Sequence, residues 1–157
     1  MKETENIKEI SALNPDYLGF IFWEKSKRNM TLDSIPELPE TTKKVGVFVD
    51  ASIQEIATKI NQYQLDIIQL HGNESVIFCK NVKKLDVEVI KVFSIDSTFN
   101  FSVVKEYVFA VDYFLFDTKG KLPGGNGITF DWNILENYHF NVPYFLSGGI
   151  GTTEIDG

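Results

Sequence analysis

Tyr113-Phe-Leu-Phe-Asp117-Thr-Lys-Gly-Lys-Leu-Pro-Gly-Gly-Asn-Gly-Ile-Thr-Phe-Asp-Trp132 is the stretch from which the architecture can be worked out. Tyr113 to Phe116 is a short apolar run, rich in aromatics and without helical period, the pattern of a strand buried on both faces. It stops on a single carboxylate, Asp117. Pro123, Gly124, Gly125 and Gly127 then interrupt any helix or ladder. Thr129 precedes Phe130-Asp131-Trp132 as the cap of a helix reaching about Tyr138. A buried strand that hands one acid to a glycine-rich loop is where a parallel α/β protein places its chemistry. An ordinary strand end with a capping aspartate fits this stretch equally well, and the flanking chain has to choose.

Working outward, the same pattern recurs. Strand starts are expected at Tyr17, Val45, Ile67, Val87, Tyr113 and Tyr144, about one per 25 residues, the period of a strand–helix unit. Between them lie amphipathic segments. Ile7, Ile10 and Leu13 space a helix that opens the chain, starting near Glu3 or Thr4 and stopped by Asn14-Pro15-Asp16. Thr31 to Leu38 has room for a short helix broken near Pro36 and Pro39. Ser52 and Glu55 stand at capping-box spacing before Ile53, Ile56, Ala57 and Ile60. Glu74 to about Lys84 reads as a helix with Val76, Ile77, Cys79 and Val82 mostly inward, and Phe99 to Val108 as another. Thr152-Thr153-Glu154 reads as the first turn of one more. Repeating β–α units with short apolar strands predict a parallel sheet with helices outside it, in one domain over residues 1–157. Six similar units without a dinucleotide-binding glycine fingerprint favour a barrel segment over a doubly wound sheet.

Bulk properties exclude several functions. With 157 residues and 43% hydrophobic content, one sizeable core is affordable to the chain, and the net charge of −7 argues against nucleic acid. The single cysteine, Cys79, excludes an internal disulfide and suits a reducing compartment. No basic-then-apolar leader and no membrane-length apolar run is present, so a cytoplasmic protein that engages no membrane is expected.

Gly19-Phe-Ile-Phe-Trp-Glu-Lys-Ser-Lys-Arg28, Val45-Gly-Val-Phe-Val49, Gln69-Leu-His71-Gly72, Asp117-Thr-Lys with Gly124-Gly-Asn-Gly127 and Thr129-Phe-Asp-Trp132, and Leu146-Ser-Gly-Gly149 follow one another in order. As a set they resemble phosphoribosylanthranilate isomerase, the (β/α)8 TIM-barrel family of tryptophan biosynthesis. None of these motifs is specific alone; their order is. The resemblance covers essentially the whole chain and implies an Amadori rearrangement of a phosphosugar substrate without metal or organic cofactor. It makes Asp117 the general acid that opens the furanose ring, which calls for burial to raise its pKa. It pairs Arg28, the only arginine among fifteen basic residues, with the anthranilate carboxylate. The bare backbone amides of Gly148 and Gly149 would hold the phosphate. Gln69 and His71 would line the same pocket, although a histidine that merely closes a strand fits His71 almost as well. His139 receives no role, and Asp50 reads as a turn residue.

The resemblance also breaks. The family's first strand ends in Cys-Gly, its cysteine being the general base, and Met1 falls two positions past that cysteine. Cys79, mid-helix among apolar neighbours, is no substitute. The eighth strand is likewise missing, so an incomplete barrel of about six strands is expected, with an opening roughly 10 Å wide. Open sheet edges would then favour self-association. As written, the polypeptide is expected to have little or no isomerase activity. Two rivals within phosphosugar-binding barrels fare worse. An epimerase needs metal-binding His and Asp residues on several strand ends, where only His71 stands. The histidine-pathway isomerase needs paired aspartates and two phosphate half-sites. A rival of another class is a non-catalytic module that pairs its sheet edges with a second chain.

Overall fold

The computed structural model describes residues 1–118 and 131–150. The chain begins with helix α1 (Thr4–Ser11), followed by β1 (Tyr17–Ile21), β2 (Lys43–Phe48), α2 (Ile53–Tyr63), β3 (Ile67–Leu70), α3 (Val76–Lys83) and β4 (Glu88–Ile95). A 3-10 helix (Phe101–Tyr107), β5 (Tyr113–Thr118), a second 3-10 helix (Trp132–Asn137) and β6 (Tyr144–Ser147) complete it. All five strand pairings are parallel, and the sheet order is β1-β2-β3-β4-β5-β6. A doubly wound sheet reverses its order at a switch point; here every strand adds to the same side, as in a barrel wall.

Parallel strands carry apolar residues on both faces, and the two faces here differ. Phe20, Phe48, Ile68, Leu70, Val89, Phe114 and Phe116 point to the helix side and form the main core with Ile7, Ile56 and Val82. On the opposite face Val45, Ile67 and Ile90 form a smaller cluster with Tyr113, Leu115 and Phe145. That face would be a barrel interior. At its N-terminal end Lys43 pairs with Glu88 at 2.9 Å.

Several local expectations are corrected. Residues 31–38 form no helix; Pro36 and Pro39 remove donors and restrict the residues before them. Leu32, Ile35 and Leu38 pack instead against the main core, held by Tyr63 Oη donating to the Leu32 carbonyl at 2.7 Å. Helix α3 starts at Val76, capped by Ser75, leaving Glu74 outside it and buried. The segment around Phe101 is 3-10 and capped by Asn100, and Asp131 caps Trp132–Asn137. Thr129 and Thr152–Glu154 lie outside the described residues. Ile10, Leu13 and Ile77 face solvent. Among the described residues no helix is long and apolar enough to cross a membrane.

Candidate active site

In a parallel sheet of this order all strands end on one rim, so residues far apart in sequence converge there. A cavity of about 200 Å³ opens at that rim. The segment after β1 contributes Trp23, Ser26 and Arg28; β2 contributes Val47 and the following Val49; β3 and its turn contribute Gln69 and His71. From the other side come Leu115 and Asp117 of β5 and Ser147 of β6. The register places Asp117 directly beside Ser147, with Ser94 of β4 on its other flank. Asp117, Arg28, Gln69 and His71 therefore share one cavity.

Gly148 and Gly149 follow Ser147 at the cavity's edge without lining it, both with positive φ, 95° and 67°. Thr118 Oγ1 donates to the Gly148 carbonyl at 3.3 Å. A Cβ on Gly148 would lie 2.4 Å from Thr118 Oγ1, so this turn requires glycine both for its φ and for the close approach of Thr118.

Asp117 is only 2% exposed. His71 Nε2 lies 3.5 Å from its Oδ2, longer than a well-formed hydrogen bond but close enough for the imidazole to favour the carboxylate. Among the described residues, this buried nitrogen has no hydrogen-bond partner. Burial pushes the Asp117 carboxyl up. The interaction with His71, the Ser147 hydroxyl and the Thr118 backbone N–H outweigh it, and the group sits below the ordinary aspartate value of 3.8. The expectation that burial raises this pKa is thus corrected: desolvation is present, but the partners win.

Cys79 is fully buried in α3, and burial raises its thiol to about 11. His139 is exposed just after the second 3-10 helix and does not line the cavity. Asp50 adopts φ 50° and accepts from the Asn73 backbone N–H at 2.6 Å, a turn role. Among the described residues no cluster of three or more His, Cys, Asp or Glu could hold a metal.

Sequence reasoning missed Glu74 and Lys91, a buried pair at 2.9 Å directly beneath the rim. The signal was available. Lys91 interrupts the apolar strand Val89-Ile90-Lys91-Val92, and a buried ammonium there demands a carboxylate.

One-directional β–α units whose strand ends bring a buried acid into a rim pocket define a parallel (β/α)-barrel enzyme. The family model for N-(5'phosphoribosyl)anthranilate (PRA) isomerase matches residues 1–157, and the chain belongs to that family. It is similar to the N-(5'-phosphoribosyl)anthranilate isomerase of Parabacteroides distasonis, 44% identical over 157 residues, covering 96% of this chain and 70% of that protein. The corresponding protein of Phocaeicola vulgatus is 42% identical over 151 residues, covering 96% and 73%. Among solved structures, phosphoribosyl anthranilate isomerase from Thermotoga maritima superimposes with a TM-score of 0.80 at 29% identity, covering 96% of this chain and 74% of that one. The Thermus thermophilus enzyme superimposes at 0.83, covering 99% and 77%; at 22% identity that likeness speaks for the fold. The six strands are thus part of a TIM-barrel wall.

Proposed function

We propose that the rim cavity is an isomerase site acting on N-(5-phosphoribosyl)anthranilate in tryptophan biosynthesis. The reaction is an Amadori rearrangement to 1-(2-carboxyphenylamino)-1-deoxyribulose 5-phosphate, carried out in the cytoplasm. Asp117 gives a proton to the furanose ring oxygen as the C1–O bond breaks and the anilino nitrogen forms an iminium. A base then removes the C2 proton, and the enolamine relaxes to the ketone. No metal or organic cofactor is required.

The observation that carries this reading is the single cavity shared by buried Asp117 and Arg28, the chain's only arginine. A planar guanidinium suits the anthranilate carboxylate, and the amides at Gly148 and Gly149 lie beside Ser147 for the phosphate. Gln69 and His71 bound the sugar between them. Its partners hold the Asp117 carboxyl below the ordinary aspartate value, so the acid form has to be favoured by substrate itself. A ligand that brings a carboxylate and a phosphate into the cavity raises the pKa of a neighbouring carboxylate, since like charges disfavour ionisation.

The test is calorimetric titration of the 157-residue chain with the reduced product. Wild type binds, Asp117→Asn retains binding, and Arg28→Lys weakens it about tenfold or more through loss of the planar fork. Absence of any binding to wild type sinks the reading. The same polypeptide is expected to show little or no turnover, because its one thiol is buried in α3 with a pKa of about 11. Measurable turnover would point to another base, with His71 first to be replaced.

A further inference from the structure

We propose that the buried Glu74–Lys91 pair is the positioning unit of this site, holding His71 against Asp117 by tying two rim turns together from below. The inference rests on the reading of the rim cavity as the substrate site. Lys91 belongs to β4 but shares the helix-side face with Val89 and Phe93, so it never enters the cavity. It is 3% exposed and Glu74 is 6% exposed.

An ammonium has three donors, and all three are used. Lys91 Nζ donates to the Leu70 carbonyl at 3.2 Å, the Gly72 carbonyl at 2.7 Å and Glu74 Oε2 at 2.9 Å. Leu70 and Gly72 are the two neighbours of His71, so one cation clamps the chain on both sides of that residue. Glu74 completes the clamp: its Oε1 accepts the Asp50 N–H at 3.0 Å, and both oxygens accept the Gly72 N–H, at 3.1 and 3.0 Å. The turn after β2 and the turn after β3 are therefore fastened to one buried carboxylate. A further bond, from the His71 N–H to the Phe48 carbonyl at 2.8 Å, keeps His71 in line with β2. Tyr107 Oη donates to the Glu74 carbonyl at 3.1 Å.

A role confined to stability explains this arrangement poorly. Burying two charges costs heavily, and an apolar pair of similar volume commonly serves stability as well or better. An apolar pair could not bind four main-chain groups, the Asp50 and Gly72 N–H and the Leu70 and Gly72 carbonyls. Among the described residues, every hydrogen bond made by the two side chains, apart from the one within the pair, goes to the backbone at Asp50, Leu70 or Gly72. What the charges add is the direction in which the turns point, and with it the direction of the imidazole. Glu74 and Lys91 touch no substrate position and act through His71.

The test compares wild type with Glu74→Gln/Lys91→Met, which removes both charges while leaving an amide oxygen for the Asp50 and Gly72 donors. The carboxyl carbon of Asp117 is followed through acid titration by NMR, with reduced-product affinity measured in parallel. Among the described residues, the groups facing Asp117 are His71, Ser147, the Thr118 N–H and, across the cavity, Arg28. With His71 released, the Asp117 midpoint rises toward the ordinary aspartate value, and affinity falls about tenfold through misplacement of the pocket wall. The ring signals of His71 move, while those of exposed His139 stay, which a general loosening of the fold would not produce. A folded double variant with unchanged Asp117 titration and unchanged affinity overturns the inference. If wild type ignores the reduced product but the double variant still shifts Asp117, the positioning role stands and the substrate assignment falls. A measurement on wild type alone guards against a variant that does not fold. The Asp50 and Gly72 amides should exchange with solvent as slowly as those inside β3, and exchange at free-turn rates overturns the proposal.

Discussion

Asp117 loses most of its contact with water and still ionises more readily than a free aspartate, because His71, Ser147 and Thr118 surround the charge. A carboxyl whose pKa is depressed on folding stabilises the native state above its unfolded value and ceases to do so as pH falls through the folded one. At neutral pH, Asp117→Asn is therefore expected to be less stable than wild type. The gap should hold down to about pH 4–5 and close as pH drops below 3.8, as read by urea denaturation at successive pH values. A gap that widens in acid would mean that desolvation, not the partners, governs this group. Cys79 is the opposite case within one chain: fully buried, without a compensating cation strong enough to matter, its thiol is pushed up and kept inert. The sequence marked Asp117 by its place at the end of an apolar run. It could not assign the charge state, which depends on a histidine brought in from another strand.

The helices show how far periodicity carries. Helix α2 is capped by Ser52, whose side chain accepts from the Glu55 N–H, and turns Ile56 fully inward, as its spacing predicts. Helix α3 is shorter, eight residues, and there the apolar pattern misled: Cys79 and Val82 are buried while Ile77 is 72% exposed. With only two turns, the rotation of a helix about its axis is decided by the turn that feeds it, here the one pinned by Glu74. Ile56→Ala is expected to cost about 2–5 kcal/mol as a cavity in the main core, whereas Ile77→Ala should stay within about 0.5 kcal/mol. Chemical denaturation of the two variants checks this directly; equal losses would contradict the assigned rotation. The 3-10 segments carry a similar lesson. Phe101 and Tyr138 each lie edge-on to Phe116, so packing in this aromatic cluster overrides the helical geometry that local pattern would favour.

For the whole molecule, sheet order matters more than any element. Adjacent units pair in sequence from β1 to β6, which brings Arg28 near one end of the arc and Asp117 and Ser147 near the other, into one cavity. The β1 edge is partly covered from within: Met30 N–H bonds to the Ile21 carbonyl at 2.7 Å, and the Met1 ammonium to the Gly19 carbonyl at 2.7 Å. Among the described residues, β6 has no strand on its outer side. We therefore expect the 157-residue chain to self-associate through β6. Sedimentation equilibrium should give a mass that rises above 17.9 kDa with concentration. Tyr144→Lys, at a position 39% exposed on that strand, should reduce the effect. A chain that stays monomeric at every concentration would remove the interaction-module reading.

Local chemistry alone established the run of β–α units, the placing of polar groups at strand ends and, through the ordered motifs, the likeness to one family. These features follow from side-chain period, turn residues and caps, which act over a few positions and leave their mark in sequence. Tertiary structure alone decided that Asp117 is held as a carboxylate, that Ile77 faces water, and that Glu74 finds Lys91 beneath the rim. Those outcomes depend on inter-strand register and on buried charges meeting across separate turns, where desolvation and pairing nearly cancel and only the assembled geometry sets the balance.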